Sequence, residues 1–449
     1  MIALWQDPLR PQAGHDVGGV QNLHVMGLLA LGLLIIATLV LPRRRSSLPL
    51  VLLLCFVPVG QRFVIDTLDF PFMRLIVLSI WLRLIIRREI RPLNWNWLDR
   101  GLLIWAFISI VTATLYATRF DVFVNRTAAS FDSLGIYFFF RQHVRSIPDL
   151  SRVVGHFLVC IFGVLVFFTI EHLTQRNLFH VLGGVPEYTL IRDGRLRCQG
   201  AFAHPIVAGC FFASLLPLLA IRGLQTERWG VVFAGAAACL GIVVLCSSST
   251  PAVAVMAGMF GAGCFFLRHG LGYIRWVFVI VCFCLHFIRE KPIWHLVSRI
   301  DITGGSTGFH RYHLVDKFIL NWQEWLWLGT ASTAHWGYGL QDVTNQYVAE
   351  GVTGGIFRLF AFLCVVATAF IGVSRSLRQP TLSRQQQLIF WALGTLLFMH
   401  CVNFIGITYF GQIIALWMAT LGVIGSLTLV PGAVPATQLQ RQVAGLAGA

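Results

Sequence analysis

Two polar stretches in an otherwise apolar chain carry the residue types that hold phosphates and move protons. The first, Arg192-Asp193-Gly194-Arg195-Leu196-Arg197-Cys198-Gln199-Gly200-Ala201-Phe202-Ala203-His204-Pro205, runs straight into an apolar helix that begins at Ile206. Three arginines just before a helix N-terminus suit a phosphate or pyrophosphate, because arginine offers paired donors and the helix end adds oriented N–H groups. Gly200 lets the backbone come close to such a ligand. The competing reading is interfacial arginines meeting lipid headgroups. The second stretch holds Phe309-His310-Arg311-Tyr312-His313-Leu314 and then Trp336-Gly337-Tyr338-Gly339-Leu340-Gln341-Asp342-Val343-Thr344-Asn345-Gln346-Tyr347. Histidine, aspartate, asparagine and tyrosine there can position a sugar and remove a hydroxyl proton, with aromatic faces stacking on pyranose rings. An aromatic belt with satisfied polar groups is the plainer alternative. Arg195, His204, His313, Asn345 and Tyr347 make up the expected substrate-binding set.

Other chemistries lack their signatures. The histidines form no HExxH pattern, and no GxSxG elbow, Walker sequence or paired-carboxylate cluster stands out, so neither a metal nor a cofactor is expected. Ser247-Ser248-Ser249-Thr250-Pro251 has a hydroxyl run but no adjoining base, and reads as a turn between two helices.

The elements that must position these residues are membrane helices. Apolar residues make up 57% of the 449 and charged residues 12%, against roughly 45–50% and about 25% in a soluble domain. With a mean hydropathy of +0.74, the bilayer is the expected solvent and a soluble enzyme, a secreted disulfide scaffold and a nucleic-acid-binding domain are poor readings. Apolar runs fall near 25–42, 48–60, 72–86, 101–118, 122–140, 153–171, 206–221, 230–247, 251–267, 273–289, 352–374, 386–405 and 409–430. The second and third are short, and Arg126 and Asp132 interrupt the fifth. The expectation is an all-α polytopic protein of about twelve to thirteen transmembrane helices forming one integral-membrane domain. The first run, about Val25 to Leu41, is followed by Arg43-Arg44-Arg45 rather than a cleavage site and reads as a retained span. Ten of the eleven cysteines sit in apolar runs and only Cys198 in a polar loop, so no structural disulfide and no zinc site are expected.

Charge orients the chain. If the spans alternate from an outer N-terminus, the inner segments hold 19 of the 34 bases and only four acids, which puts the whole net charge of +15 on one side. That is the positive-inside pattern, and it requires the fifth run to cross. Membrane lipids rather than nucleic acid then account for the basic pI near 9.8. Two long outer loops remain, about 172–205 and 290–351, together with a tail, 431–449, read as a disordered cytoplasmic segment.

An R-x-x-G-x-F-x-x-P element opening a helix (Arg197, Gly200, Phe202, Pro205), followed by a large late outer loop with Arg311 and an N-x-Y ending before Glu350-Gly351 and Gly354-Gly355, resembles the O-antigen ligase and Wzy-type polymerase superfamily over about residues 100–430. The resemblance implies a GT-C-like, metal-independent inverting glycosyltransferase of the bacterial inner membrane, with the late loop periplasmic. It implies an undecaprenyl-diphosphate-linked glycan as donor, a glycan or lipid as acceptor, and Arg197 and Arg311 on the donor diphosphate. The chain departs from the pattern at Thr344, where ligases of the superfamily carry the histidine taken as base, and at Ser248-Ser249-Thr250, where the Arg of a Ser-Arg-Gly element is missing. His335 and Asp342 are the nearest residues able to act as base instead. A transporter or flippase of a lipid-linked or anionic substrate is the rival reading.

Topology is directly testable. Reporter fusions after residues 45, 90, 147, 225 and 380 should read cytoplasmic, and fusions near 185 and 320 external. A cytoplasmic signal at 320 would remove any outward-facing chemistry.

Overall fold

A computed structural model describes residues 23–65, 68–268, 270–288, 292, 294–295 and 307–428. The tail after Pro431, and most of the late loop before Thr307, lie outside these. The protein is mostly helical, at 75%, with little sheet. The elements run α1 (Val25–Val40), α2 (Leu48–Phe56), the hairpin β1 (Arg62–Ile65) and β2 (Leu68–Pro71), α3 (Phe72–Ile86), α4 (Trp97–Ala117), α5 (Phe120–His143) and α6 (Ile147–Thr174). A second hairpin, β3 (Leu190–Arg192) and β4 (Arg195–Arg197), leads into α7 (Pro205–Thr226), α8 (Trp229–Leu245), α9 (Ser249–Gly263) and α10 (Leu271–Ile288). The late segment forms α11 (Thr307–Leu320) and α12 (Trp322–Trp325) before α13 (Gln346–Leu377), α14 (Arg384–Gly406) and α15 (Gln412–Leu427).

Each of the thirteen apolar runs forms a helix. Among the described residues, six helices, α4, α6, α7, α9 with the turn that extends it to Leu267, α13 and α14, are long and apolar enough to cross a membrane, and α1, α8 and α15 are apolar but shorter. Helix α2 has nine residues, about 14 Å against a hydrocarbon core of ~30 Å, so it does not cross alone. The fifth run is one unbroken helix of 24 residues. It tolerates Asp132 because Arg74 of α3 meets that carboxylate with Nη2 at 2.8 Å and Nε at 3.0 Å.

The helix ends sort into two sets. At one end Arg43 donates to the carbonyls of Gln142 and His143, Arg83 to those of Thr38 and Leu41, Arg145 to Glu89 O, Ser426 to Arg141 O and Ser376 to Thr428 O. At the other, His24 N reaches Gln61, Cys198 N reaches Leu245 O, and Gln412 reaches Ala201 O. This is the sorting that alternating helices produce, and the first set is the arginine-rich one. Each of those guanidinium groups satisfies carbonyls that a helix end leaves open.

The tightest buried charge lies in that first set. Asp99 is wholly buried and takes Arg141 Nε and Nη2, each at 2.9 Å, the Tyr137 hydroxyl at 2.5 Å, and the Asn96 amide in a capping box at 2.9 Å. Helix α15 comes this close because Gly422 and Gly425 face Tyr137 and Arg141, where a side chain would collide. Replacing Asp99 by Ala strands a buried guanidinium and should cost about 3–5 kcal/mol. Thermal unfolding of the detergent-solubilised protein measures it, and an unchanged midpoint would contradict this assignment.

Candidate functional site

The first polar stretch folds against a carboxylate. Glu171, in the last turn of α6 and 1% exposed, accepts the backbone N–H of Gln199 at 3.1 Å and of Gly200 at 2.9 Å, and the Thr189 hydroxyl at 3.4 Å. An acid in a helix's last turn opposes the macrodipole, and here the two amides offset that cost. Gly200 has φ +56 and sits against the Phe168 ring, where a Cβ would clash, so only glycine makes this turn without strain. Asn177 locks the same turn from the other side, donating to Gly200 O at 2.8 Å.

This clamp delivers Arg197 to the α8–α9 turn. The Cys198 N–H donates to Leu245 O at 3.0 Å, and Arg197, 5% exposed, lies in electrostatic range of Cys246. Its Nε has no hydrogen-bond partner among the described residues. Burial, and after it the nearby Arg192, holds its pKa below the ordinary guanidinium value. Burial and Glu171 push the neighbouring Cys198 thiol up to about 12, so it stays a protonated packing group.

Arg311 arrives at the same turn from α11. It is 7% exposed, donates through Nη2 to Thr250 Oγ1 at 2.7 Å, and lies in electrostatic range of Cys210 in α7. Gly209 of α7 abuts Cys246 and Pro251, and Gly406 of α14 abuts Thr250 at 2.6 Å from a would-be Cβ. The α8–α9 turn is thus walled by α7, α14, β4 and α11. Helix α9 starts there with no side-chain cap on its N-terminal amides. Two buried guanidiniums beside a helix N-terminus are the kind of groups that bind an anion with several oxygens.

The late segment closes over this turn. Asn345 caps α13, accepting from Tyr347 N at 2.9 Å and Val348 N at 3.2 Å, and its amide donates to Ile405 O at 3.3 Å. The Thr408 hydroxyl donates to Val343 O at 2.5 Å, and Gln346 accepts from Tyr409 N at 2.7 Å. Helix α13 itself bends at Gly354-Gly355. Gly355 has φ +71 and lies against the carbonyls of Leu326 and Trp327; Ile356 N bonds Leu326 O at 2.8 Å and Thr330 N bonds Val352 O at 2.8 Å. Beside the bend Glu350 pairs with Arg358 at 2.8 Å and takes Trp105 Nε1 at 2.9 Å and Gln346 Nε2 at 2.7 Å.

The residues nominated from sequence divide accordingly. Arg197 and Arg311 approach the same turn, Arg197 at Cys246 and Arg311 at Thr250. Arg195 is exposed at the hairpin, and His204 caps α7, accepting from Ile206 N at 3.1 Å. His313 stacks on Phe309 and borders Gly337. Asn345 is a helix cap, and the Tyr347 hydroxyl donates to Cys401 O at 3.2 Å, so the polar atoms of both are engaged in holding α13. His335 is exposed and bonds Glu324 at 2.7 Å, the same carboxylate that takes Trp336 Nε1. Those contacts, Trp336 first, hold Glu324 below the usual carboxylate range. Asp342 is at the surface, yet neighbouring atoms crowd its carboxyl and push its pKa up, with His310 pulling the other way. Among the described residues no group of three His, Cys, Asp or Glu side chains converges as metal ligands would.

Sequence reasoning misses the contacts of three residues. Glu171 has a signal, a lone acid ending an apolar helix. Thr250 reads as part of a turn, and nothing in the sequence ties it to Arg311, 61 residues on. Thr344 stands out only for what it is not, whereas its hydroxyl is buried without a partner among the described residues.

Removing the clamp should loosen this corner. Glu171→Ala leaves two buried amides without an acceptor and should cost about 2–3 kcal/mol, with faster protease nicking of the 183–199 loop in the purified protein. Wild-type nicking rates would mean that the loop is held by something else.

Neither a protein-family model nor a curated protein matches the chain.

Proposed function

We propose that the protein is an integral-membrane glycosyltransferase. It moves a glycan from a lipid-linked diphosphate to a sugar hydroxyl, polymerising or ligating a surface polysaccharide at the outer face of a bacterial inner membrane. The motif order resembling the O-antigen ligase and Wzy-type polymerase superfamily supports this reading, as does the positive-inside charge split over twelve to thirteen spans. One structural observation supports it: Arg197, buried with its Nε unpartnered among the described residues, lies in electrostatic range of Cys246 just before α9, and Arg311 bonds Thr250 in the first turn of that helix. Such groups suit a diphosphate, and an undecaprenyl tail would bring one to the membrane surface.

In the proposed step the acceptor oxygen attacks the anomeric carbon from the face opposite the diphosphate. The carbon–oxygen bond to phosphate breaks, its electron pair stays on the diphosphate, and the configuration inverts. Arg197 and Arg311 stabilise the charge that the leaving group gains, and a base on the late segment takes the hydroxyl proton. No cofactor is needed.

The transporter or flippase reading has an observation of its own, the broken helix α13 with its buried Glu350–Arg358 pair. That pair is already engaged with Gln346, Trp105 and Thr353, which fits a brace for the bend better than a substrate site.

Arg197→Ala and Arg311→Ala should each abolish transfer while leaving expression intact. Removing a charge-assisted hydrogen bond from the transition state costs about 2–4 kcal/mol, or roughly 30- to 1,000-fold in rate. Lysine should rescue poorly, since it lacks the paired donors. Polymer analysis in cells deleted for the chain and complemented with each variant decides it, and near-normal polymer from both alanine variants would refute the diphosphate assignment.

A further inference from the structure

Three arginines from three separate connections come together at the arginine-rich end of the bundle, the end opposite the α8–α9 turn. Arg43 follows α1, Arg91 follows α3, and Arg145 joins α5 to α6. Gln142 of α5, itself buried, gathers them. Its carbonyl accepts from Arg43 Nη2 at 3.3 Å and from Arg145 Nε at 2.9 Å. Its side chain grips the Arg91 backbone, accepting from Arg91 N at 3.1 Å and donating to Arg91 O at 2.8 Å. Arg145 Nη2 adds a bond to Glu89 O at 3.0 Å. Arginines that only orient a chain in the bilayer need no such fixing, and Arg44, Arg45 and Arg88 stand exposed at the same end.

The charge of this cluster exceeds what the protein supplies to meet it. Carbonyls accept the bonds of Arg43 and Arg145, and such bonds leave the net charge unchanged. Two acids lie in electrostatic range, Asp149 and Glu89. Each is matched by a further base: Asp149 meets Arg152 Nη1 at 2.7 Å, and Glu89 meets Arg83 Nη2 at 2.9 Å. Arg43, Arg91 and Arg145 therefore form a surplus of positive charge. Their mutual repulsion is felt at Arg145, whose pKa is pulled down to about 10 by burial first and then by Arg43 and Arg91.

The cluster sits where apolar helices end, since α1 stops at Val40, α3 at Ile86 and α5 at His143, and α6 starts at Ile147. Exposed apolar stripes run up to it, Leu33, Ile36 and Val40 on α1 and Leu78, Leu82 and Ile85 on α3, each at the three- and four-residue spacing of one helix face. Arg83 ties these two helices together through the carbonyls of Thr38 and Leu41. We infer that Arg43, Arg91 and Arg145 bind the headgroup of an acidic phospholipid, with its phosphate oxygens on the guanidiniums and its acyl chains along the stripes of α1 and α3. A phosphate diester presents charged oxygens that match the paired donors of arginine. A lipid with two such groups offsets more of the surplus than a lipid with one, and basic pockets between membrane helices are where such headgroups bind. This site is independent of the transferase reading.

The test titrates the full-length protein in detergent with cardiolipin, phosphatidylcholine and inorganic phosphate, reading bound lipid by native mass spectrometry and stability by the thermal unfolding midpoint. Cardiolipin should remain bound and raise the midpoint, phosphatidylcholine should do neither, and inorganic phosphate should not displace the cardiolipin. Arg91→Gln leaves the backbone held by Gln142 and should weaken cardiolipin binding about fivefold, the equivalent of the ~1 kcal/mol that an arginine contributes near an anionic lipid surface. Adding Arg43→Gln should bring the loss to roughly 30-fold, and Arg91→Lys, which keeps the charge, should recover part of what Arg91→Gln loses. Lipid-free midpoints matching the wild type report that the variants fold. Arg378→Gln removes an exposed charge from the same end outside the cluster and should leave binding unaltered. Wild-type cardiolipin binding by both glutamine variants would overturn the assignment, as would an equal loss in Arg378→Gln, equal retention of phosphatidylcholine, or displacement of the lipid by inorganic phosphate.

Discussion

A charge removed from water must be met by another charge or by enough dipoles, and this constraint shapes the protein from end to end. Asp99 with Arg141, Glu350 with Arg358, Asp132 with Arg74 and Glu89 with Arg83 each pair a carboxylate with a guanidinium and add neutral donors or acceptors. Lone burial of any of these ions would cost several kcal/mol. The same constraint acts on backbone, since a helix that stops in an apolar setting leaves carbonyls open, and arginines at the basic end of the bundle fill them. Arg197 stands apart. It is as buried as these groups, yet its Nε meets no acceptor among the described residues.

The proposed site follows from that imbalance. Glu171 directs its charge to two amides of the turn rather than to Arg197, which leaves the guanidinium available at the start of α9. Thr250 orients Arg311 through its hydroxyl. Under the proposed function, such a guanidinium would favour an anionic ligand. The polar atoms of Asn345 and Tyr347, by contrast, are committed to α13. They act on the site by fastening the late segment to the end of α14.

Much of this is legible in the sequence. Hydropathy marks every long helix, and the charge split anticipates the sorting of helix ends into two sets, because both arise from short-range composition. Helix α5 is ambiguous there because Asp132 looks like an obstacle, and its partner Arg74 lies 58 residues away. The spacing around Arg197 and Gly200 points to a turn built for close approach, but not to Glu171 beneath it. The base is harder to place. Closeness in the chain to Asn345 singles out His335 and Asp342, whereas folding turns His335 toward Glu324 and brings His310 to the Asp342 carbonyl from 32 residues away. A reading along the chain cannot find contacts that only folding makes.

The contacts around the α8–α9 turn also fix when its surroundings can form. Arg197 and Thr250 are synthesised early and Arg311 later, but Gly406 and Ile405, which back Thr250 and hold Asn345, lie at the end of α14. Until α14 has entered the membrane the first arginine sits beside an unfinished wall. The surroundings of this turn are therefore complete only once α14 is in place, long after both arginines have been made.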